Sequence, residues 1–207
     1  MQRLAEFVLH GGFKGLNGHQ LEAAWRDFFA AIEPPENADI LILPWATPVK
    51  SRQQIESSFL KRARKYWDVQ ISTTQILSSA STLDEYFAKK PQNRATLIYL
   101  PGGILGDKAV AEMQKALPNR HAVLAQKNII FAGVSAGAYA LMAFYYHPLK
   151  KNFLPGGGLV RGSVCCHADD KRRQNIQAVD TSAFEPLHML PDGHFVVFTA
   201  PEALAVM

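Results

Sequence analysis

Cysteine is nearly missing from this sequence. Its 207 residues include two, Cys165 and Cys166, and neighbouring cysteines rarely close a disulfide because the bridge strains the backbone between them. A disulfide-stapled fold is excluded, and both thiols read as reduced, in a cytoplasmic protein. No apolar run approaches the ~20 residues of a membrane-spanning helix, and Met1 to Gly11 has no apolar stretch like a signal peptide. No membrane partner is expected. Charge is sparse as well: 19% of residues are charged, for a net +4, and no block of one sign is long enough to suggest a disordered tail. No basic stripe is interleaved with stacking aromatics, so nucleic acid is not an expected partner. The glycine-rich stretch Gly11 to Gly18 lacks the Gly-Lys-Ser/Thr of a P-loop and the spacing of a dinucleotide fingerprint. Cys165-Cys166-His167 has no Cys-x-x-Cys partner, so neither a metal nor an organic cofactor is expected.

What is present is a hydrophobic fraction of 48%, enough for a sizeable core, on a chain whose length fits one α/β domain over residues 1–207. Short apolar runs alternate with amphipathic segments. Strands are predicted at Glu6 to Leu9, Asp39 to Leu43, Val69 to Thr73, Thr96 to Leu100 and Asn128 to Ala132. Leu21, Trp25, Phe28, Phe29 and Ile32 fall at helical spacing, in a helix that Pro34 and Pro35 end. Ile55, Phe59, Ala63 and Tyr66 mark a second helix, and the basic run Lys61 to Lys65 reads as its solvated face. Thr82 and Glu85 have capping-box spacing for a third helix. Further helices are expected at Asp107 to Leu117 and Ala136 to Tyr146. Apolar strands without inside-outside alternation, each followed by a helix, predict a mostly parallel sheet covered on both faces. After Pro148 the rhythm changes. Pro148 to Gly158 reads as a surface loop, Leu159 to His167 as a strand, and Arg172 to Val179 as a short helix. His194 to Phe198 and Ala203 to Val206 read as a terminal hairpin.

The sharpest motif is Gly133-Val134-Ser135-Ala136-Gly137, a G-x-S-x-G between an apolar strand and a helix. This is the context of a nucleophile elbow, a tight strand-to-helix turn whose flanking glycines let backbone approach closely. Ser135 is the candidate nucleophile, and the Ala136 N–H would face the oxyanion. Gly102-Gly103 ends the preceding strand. In a parallel sheet the strand C-termini line one ligand-binding edge, so the Gly103 N–H is a candidate second donor; a plain turn is the competing reading.

A serine needs an adjacent base. Of the seven histidines, His167 ends a strand and so sits at that edge, and His10 ends the first strand and is its nearest rival. His19, His121 and His147 read as surface or capping residues. The carboxylate that orients the base is open among Asp192, Glu185, Asp169 and Glu202, and Asp192-Gly193 alone reads as an ordinary turn.

The segments LIYLPGG, IIFAGVSAGAYAL, GLVRGSVCCHADD and LPDGHFVVFTAPEALAVM, in that order, resemble the peptidase E and cyanophycinase family of serine peptidases. That resemblance implies a Rossmann-like three-layer sandwich with a mostly parallel central sheet, of the class I glutamine-amidotransferase-like kind. It also implies Ser135 as nucleophile, His167 as general base, Asp192 as third member, and Gly103 and Ala136 as oxyanion-hole residues. The implied reaction is hydrolysis of a small peptide through an acyl-enzyme, without cofactor, and a homodimer is compatible with it. The sequence departs from the family in three places. Ile104 stands where relatives carry a polar residue. No acidic residue lies between Ser135 and His167, a span shorter than in peptidase E. Asp192 replaces the usual Glu, which requires His167 or the loop to shift by a methylene. The first two bear on aspartyl-dipeptide specificity.

Two other functions compete. His10-Gly11-Gly12 mimics the oxyanion loop of α/β-hydrolase esterases, in which His194 would be the base. A non-catalytic binding protein that keeps the fold is the other. A glutamine amidotransferase is disfavoured because its elbow carries cysteine. Lys150, Lys151, Arg161, Lys171, Arg172 and Arg173 flank the candidate base, and some of them are expected to attract an acidic side chain or a terminal carboxylate.

Overall fold

The computed structural model describes residues 5–90, 94–116 and 128–199. The expectations for His121, Glu202, Leu117 and Ala203 to Val206 lie outside them.

Residues 6–134 and one late strand build the first sheet, whose inner strands are apolar runs and whose edge strand Ile71–Ile76 is polar. Strands β1 (Glu6–His10), β2 (Ala38–Ile42), β3 (Ile71–Ile76), β4 (Thr96–Leu100) and β5 (Ile129–Val134) are parallel, and β10 (Phe195–Thr199) runs antiparallel along β1. The order is β10-β1-β5-β4-β2-β3. Successive side chains point to opposite faces, and both faces are covered. On one, Val8, Ile40, Ile42, Leu97 and Ile130 pack with Phe28 and Phe29 of helix α1 (Gly18–Ala31) and Phe59 of α2 (Arg52–Tyr66). On the other, Phe7, Leu9, Leu41, Ile98 and Phe131 pack with Leu83 of α3 (Ala80–Lys89) and Met113 of α4 (Gly106–Ala116). The result is the expected three-layer α/β sandwich. The third helix is capped by Ser79 and Thr82, three residues before the expected cap: Thr82 is N3, and its hydroxyl donates to the Ser79 carbonyl at 2.6 Å.

The elbow helix departs from the sequence expectation. It ends early, as α5 (Ala136–Leu141), and the rest becomes strand β6 (Met142–His147). The carbonyls that a longer helix would use are taken by another segment. Gly158 N–H donates to Met142 O at 2.9 Å and Leu159 N–H to Leu141 O at 2.9 Å. That approach needs glycine, because a Cβ on Gly157 would overlap the Ala140 carbonyl oxygen. The run Phe144-Tyr145-Tyr146 is β-prone and joins a second sheet, ordered β7-β6-β8-β9. Within the expected loop lies β7 (Asn152–Pro155), paired antiparallel with β6. Strand β8 (Val160–Cys166) runs parallel to β6 and to β9 (Leu187–Leu190), a strand the sequence pattern does not announce. Helix α6 (Asp170–Gln177) is capped by Asp169, which accepts from the Arg172 N–H at 2.8 Å. Among the described residues no helix is long and apolar enough to cross a membrane.

Candidate active site

Parallel strands send their C-terminal ends to one edge, and this chain collects its candidate site residues there. β1 leads into Gly11-Gly12, β4 into Gly102-Gly103 and β5 into Ser135, while β8 of the second sheet leads into His167. The antiparallel β10 starts at this edge, so the turn before it, with Asp192, arrives there too. Backbone bonds pin these ends together. Ser135 N–H donates to His10 O at 2.9 Å, His167 N–H to Gly11 O at 3.1 Å, and Gly193 N–H to Gly12 O at 2.8 Å.

Ser135, His167 and Asp192 meet. Ser135 Oγ lies 2.8 Å from His167 Nε2. His167 Nδ1 lies 2.7 Å from Asp192 Oδ1. An ionised carboxylate only accepts, so Nδ1 carries the proton and Nε2 is left to accept from the serine hydroxyl. The same Asp192 oxygen also accepts from the Lys14 N–H at 3.0 Å. The Asp192 side chain reaches the imidazole from a turn held by the Gly193 N–H bond to Gly12 O.

Two of these three residues have positive φ, where a Cβ is unfavourable: Ser135 with φ 50° and ψ −109°, and His167 with φ 52°. Such strain persists only where the surroundings over-determine it, and it clusters at functional sites. The elbow glycine Gly137 touches the end of β4 so closely that a Cβ would overlap Leu100 O. Gly12, with φ 126°, lies flat against the imidazole: a Cβ there would overlap His167 Cε1 and sit 2.9 Å from Asp192 Oδ1.

The rivals are elsewhere. His10 is fully buried, its Nδ1 accepts from the Gly12 N–H at 2.9 Å, and its ring stacks on Phe13. Burial, and then the neighbouring His194 and His167, lower its pKa to about 3, so it is neutral. The His-Gly-Gly sequence therefore supports the imidazole of His167 instead of forming an esterase-type oxyanion loop. His194 is exposed and bonds its Nδ1 to the Asp192 carbonyl at 3.1 Å. Asp169 caps α6, and Glu185 accepts from the Leu187 N–H at 2.9 Å. Burial raises Cys165 to about 11 and Cys166 well above the ordinary thiol range, so both are unreactive thiols. Among the described residues no cluster of His, Cys, Asp and Glu could hold a metal.

Two cavities open on either side of Ser135, and Gly103, Ser135 and His167 line both. The first, about 400 Å³, is walled by aromatic rings and Arg62. Arg62 is thus not part of a solvated face: its guanidinium lies 4.1 Å over the Trp25 ring. The second, about 530 Å³, is bordered by Ala136, Tyr139, Tyr145, Lys108 and Arg172. Of the six basic residues expected near the base, Arg172 is the one at this wall, and it also donates to the Cys166 carbonyl. Ile104 is 85% exposed at the rim of the second cavity.

This three-layer arrangement recurs in solved structures. One is a peptidase from an acI-B1 Actinobacterium, with 17% identity over 95% of this chain and 84% of that one, and a TM-score of 0.56. Another is a candidate peptidase E from Listeria monocytogenes EGD-e, with 12% identity over 96% of this chain and 95% of that one, and a TM-score of 0.57. This chain has the peptidase E fold. No protein-family model and no curated protein matches the sequence. In this peptidase E fold, sequence reasoning singles out Ser135, His167, Asp192, Gly103 and Ala136, and all line the same edge. It places Gly12 in an esterase-type loop and not against the His167 ring, and it misses the aromatic cavity. The signal for Gly12 is the His10-Gly11-Gly12 run directly after the first strand.

Proposed function

We propose that this chain is a serine peptidase that hydrolyses small peptides, with Ser135 as nucleophile, His167 as base and Asp192 as its orienting carboxylate. The observation that carries this reading is the unbroken hydrogen-bonded line from Ser135 Oγ through the His167 ring to Asp192.

The chemistry follows from that line. His167 Nε2 takes the hydroxyl proton as Ser135 Oγ bonds to the substrate carbonyl carbon. Asp192 fixes the tautomer and stabilises the imidazolium that forms. The negative charge moves to the carbonyl oxygen, where the N–H groups of Gly103 and Ala136 are its donors. Neither N–H has a partner among the hydrogen bonds of the described residues. Collapse breaks the C–N bond, and His167 returns its proton to the leaving amine. Water then repeats the sequence on the acyl-serine. On the wall of the second cavity, Arg172 supplies positive charge for an acidic side chain or terminal carboxylate. The esterase reading has less support, because its base, His194, points to a backbone carbonyl of the Asp192 turn.

The test is hydrolysis of a mixed dipeptide pool followed by the release of free amino acids. Wild type is expected to release them and Ser135→Ala is not. Equal release by both would reject the assignment.

A further inference from the structure

The first cavity is built from Phe13, Trp25, Phe29, Phe59 and Tyr99, with Arg62 at its wall. We propose that it is the specificity pocket for a large aromatic side chain on the peptide residue next to the scissile bond. This rests on the catalytic reading of Ser135 and adds to it the class of residue selected.

The geometry sets the class. The cavity shares Gly103, Ser135 and His167 with the reacting centre, so a side chain entering it belongs to a residue at the cleaved bond. Its rings already pack on one another: Phe13 and Trp25 have centroids 3.6 Å apart, and Phe59 and Tyr99 4.5 Å apart. The faces of Phe13 and Trp25 are covered by each other, by His10 and by Arg62, so a further ring meets their edges, in addition to apolar burial. Size permits it, since about 400 Å³ has room for the largest aromatic side chain.

Charge excludes the alternatives. Among the described residues no Asp or Glu lines the cavity, so a Lys or Arg side chain would be left unpaired beside Arg62. A carboxylate would lose its hydration among aromatic walls. The one cation it would meet already lies against Trp25 and donates to the Ser58 carbonyl at 3.2 Å. A small aliphatic side chain would bury less apolar area against these rings.

The experiment is kcat/KM for two dipeptide series, Xaa-Gly and Gly-Xaa, with Xaa as Phe, Trp, Ala, Asp or Lys. In one series Phe and Trp are expected to exceed Ala, Asp and Lys by at least ~10-fold, as selective filling of an apolar pocket gives. Flat series, or a preference for Asp or Lys, would overturn the proposal. Ser58→Trp, which fills the cavity from α2, is expected to lower kcat/KM for the favoured aromatic dipeptide by at least ~10-fold. A thermal melt checks that this variant is folded. Should it fail to fold, phenylalaninamide is expected to slow the reaction of wild-type Ser135 with a small alkyl fluorophosphonate more than alaninamide does, and equal slowing counts against the pocket. Labelling of Ser135 without aromatic preference overturns the pocket alone. Absence of both labelling and hydrolysis overturns the catalytic reading with it.

Discussion

Asp192 is joined to the imidazole by one oxygen, which also accepts from the Lys14 N–H. Replacing it with Asn keeps the shape but allows the wrong tautomer, so Asp192→Asn is expected to lower kcat by about 10⁴, read in steady-state peptide hydrolysis. A loss under tenfold would mean the carboxylate is not the orienting group. Gly12→Ala places a methyl against His167 and Asp192. Displacement of a reacting group by about 1 Å costs roughly 10², so kcat should fall by at least that factor, while unchanged kcat would show that the ring tolerates the push. His10 adds a pH dependence. Its folded pKa of about 3 lies below the ordinary 6.5, so the unfolded chain binds the extra proton first. This contribution is complete above pH 6.5 and is lost as pH falls towards 3, with a slope of up to about 1.4 kcal/mol per pH unit. His10→Asn keeps an acceptor near the Gly12 N–H and should flatten the acid side of a plot of unfolding free energy against pH. An unaltered slope would contradict a buried neutral His10.

At the scale of elements, the clearest lesson is the segment after Ser135. Ala136 to Tyr146 reads as one helix because nothing within it breaks a helix. The break comes from residues further along, when the amides of Gly158 and Leu159 dock on its last carbonyls. A local reading cannot see that competition. For the same reason β7 hides in a glycine-rich stretch, and β9 is too short and mixed to stand out. The strands β1, β2, β4 and β5 are legible because each is a largely apolar, buried run set off by turns, whereas the edge strand β3 is polar and partly exposed and lies two to three residues beyond its expected place. Ser135 is legible from its strand-turn-helix context. His167 and Asp192 are not separable by local pattern from His10, Glu185 or Asp169, because the partnership is made by a second sheet and a distant turn. Gly157→Ala tests the docking. The added methyl overlaps the Ala140 carbonyl oxygen, and overpacking of this kind costs about 1–3 kcal/mol. A lowered denaturant midpoint is expected, and an unchanged one would argue against close docking.

At the scale of the whole molecule, the site exists because two sheets deliver their strand ends to one edge. The six-stranded sheet brings Gly12, Gly103 and Ser135, and the four-stranded sheet brings His167. Asp192 comes from the turn that connects β9 of the second sheet back to β10 of the first, so it ties the two together. Catalysis, in this account, depends on their relative placement as much as on any one side chain. The most direct measurement is the mapping by mass spectrometry of the adduct formed with a fluorophosphonate, in wild type and in His167→Ala. The account expects one adduct per chain, on the peptide that contains Ser135, formed at least ~10²-fold more slowly without the imidazole. An unmodified Ser135 in folded wild-type protein, or labelling that proceeds equally fast in His167→Ala, would contradict it.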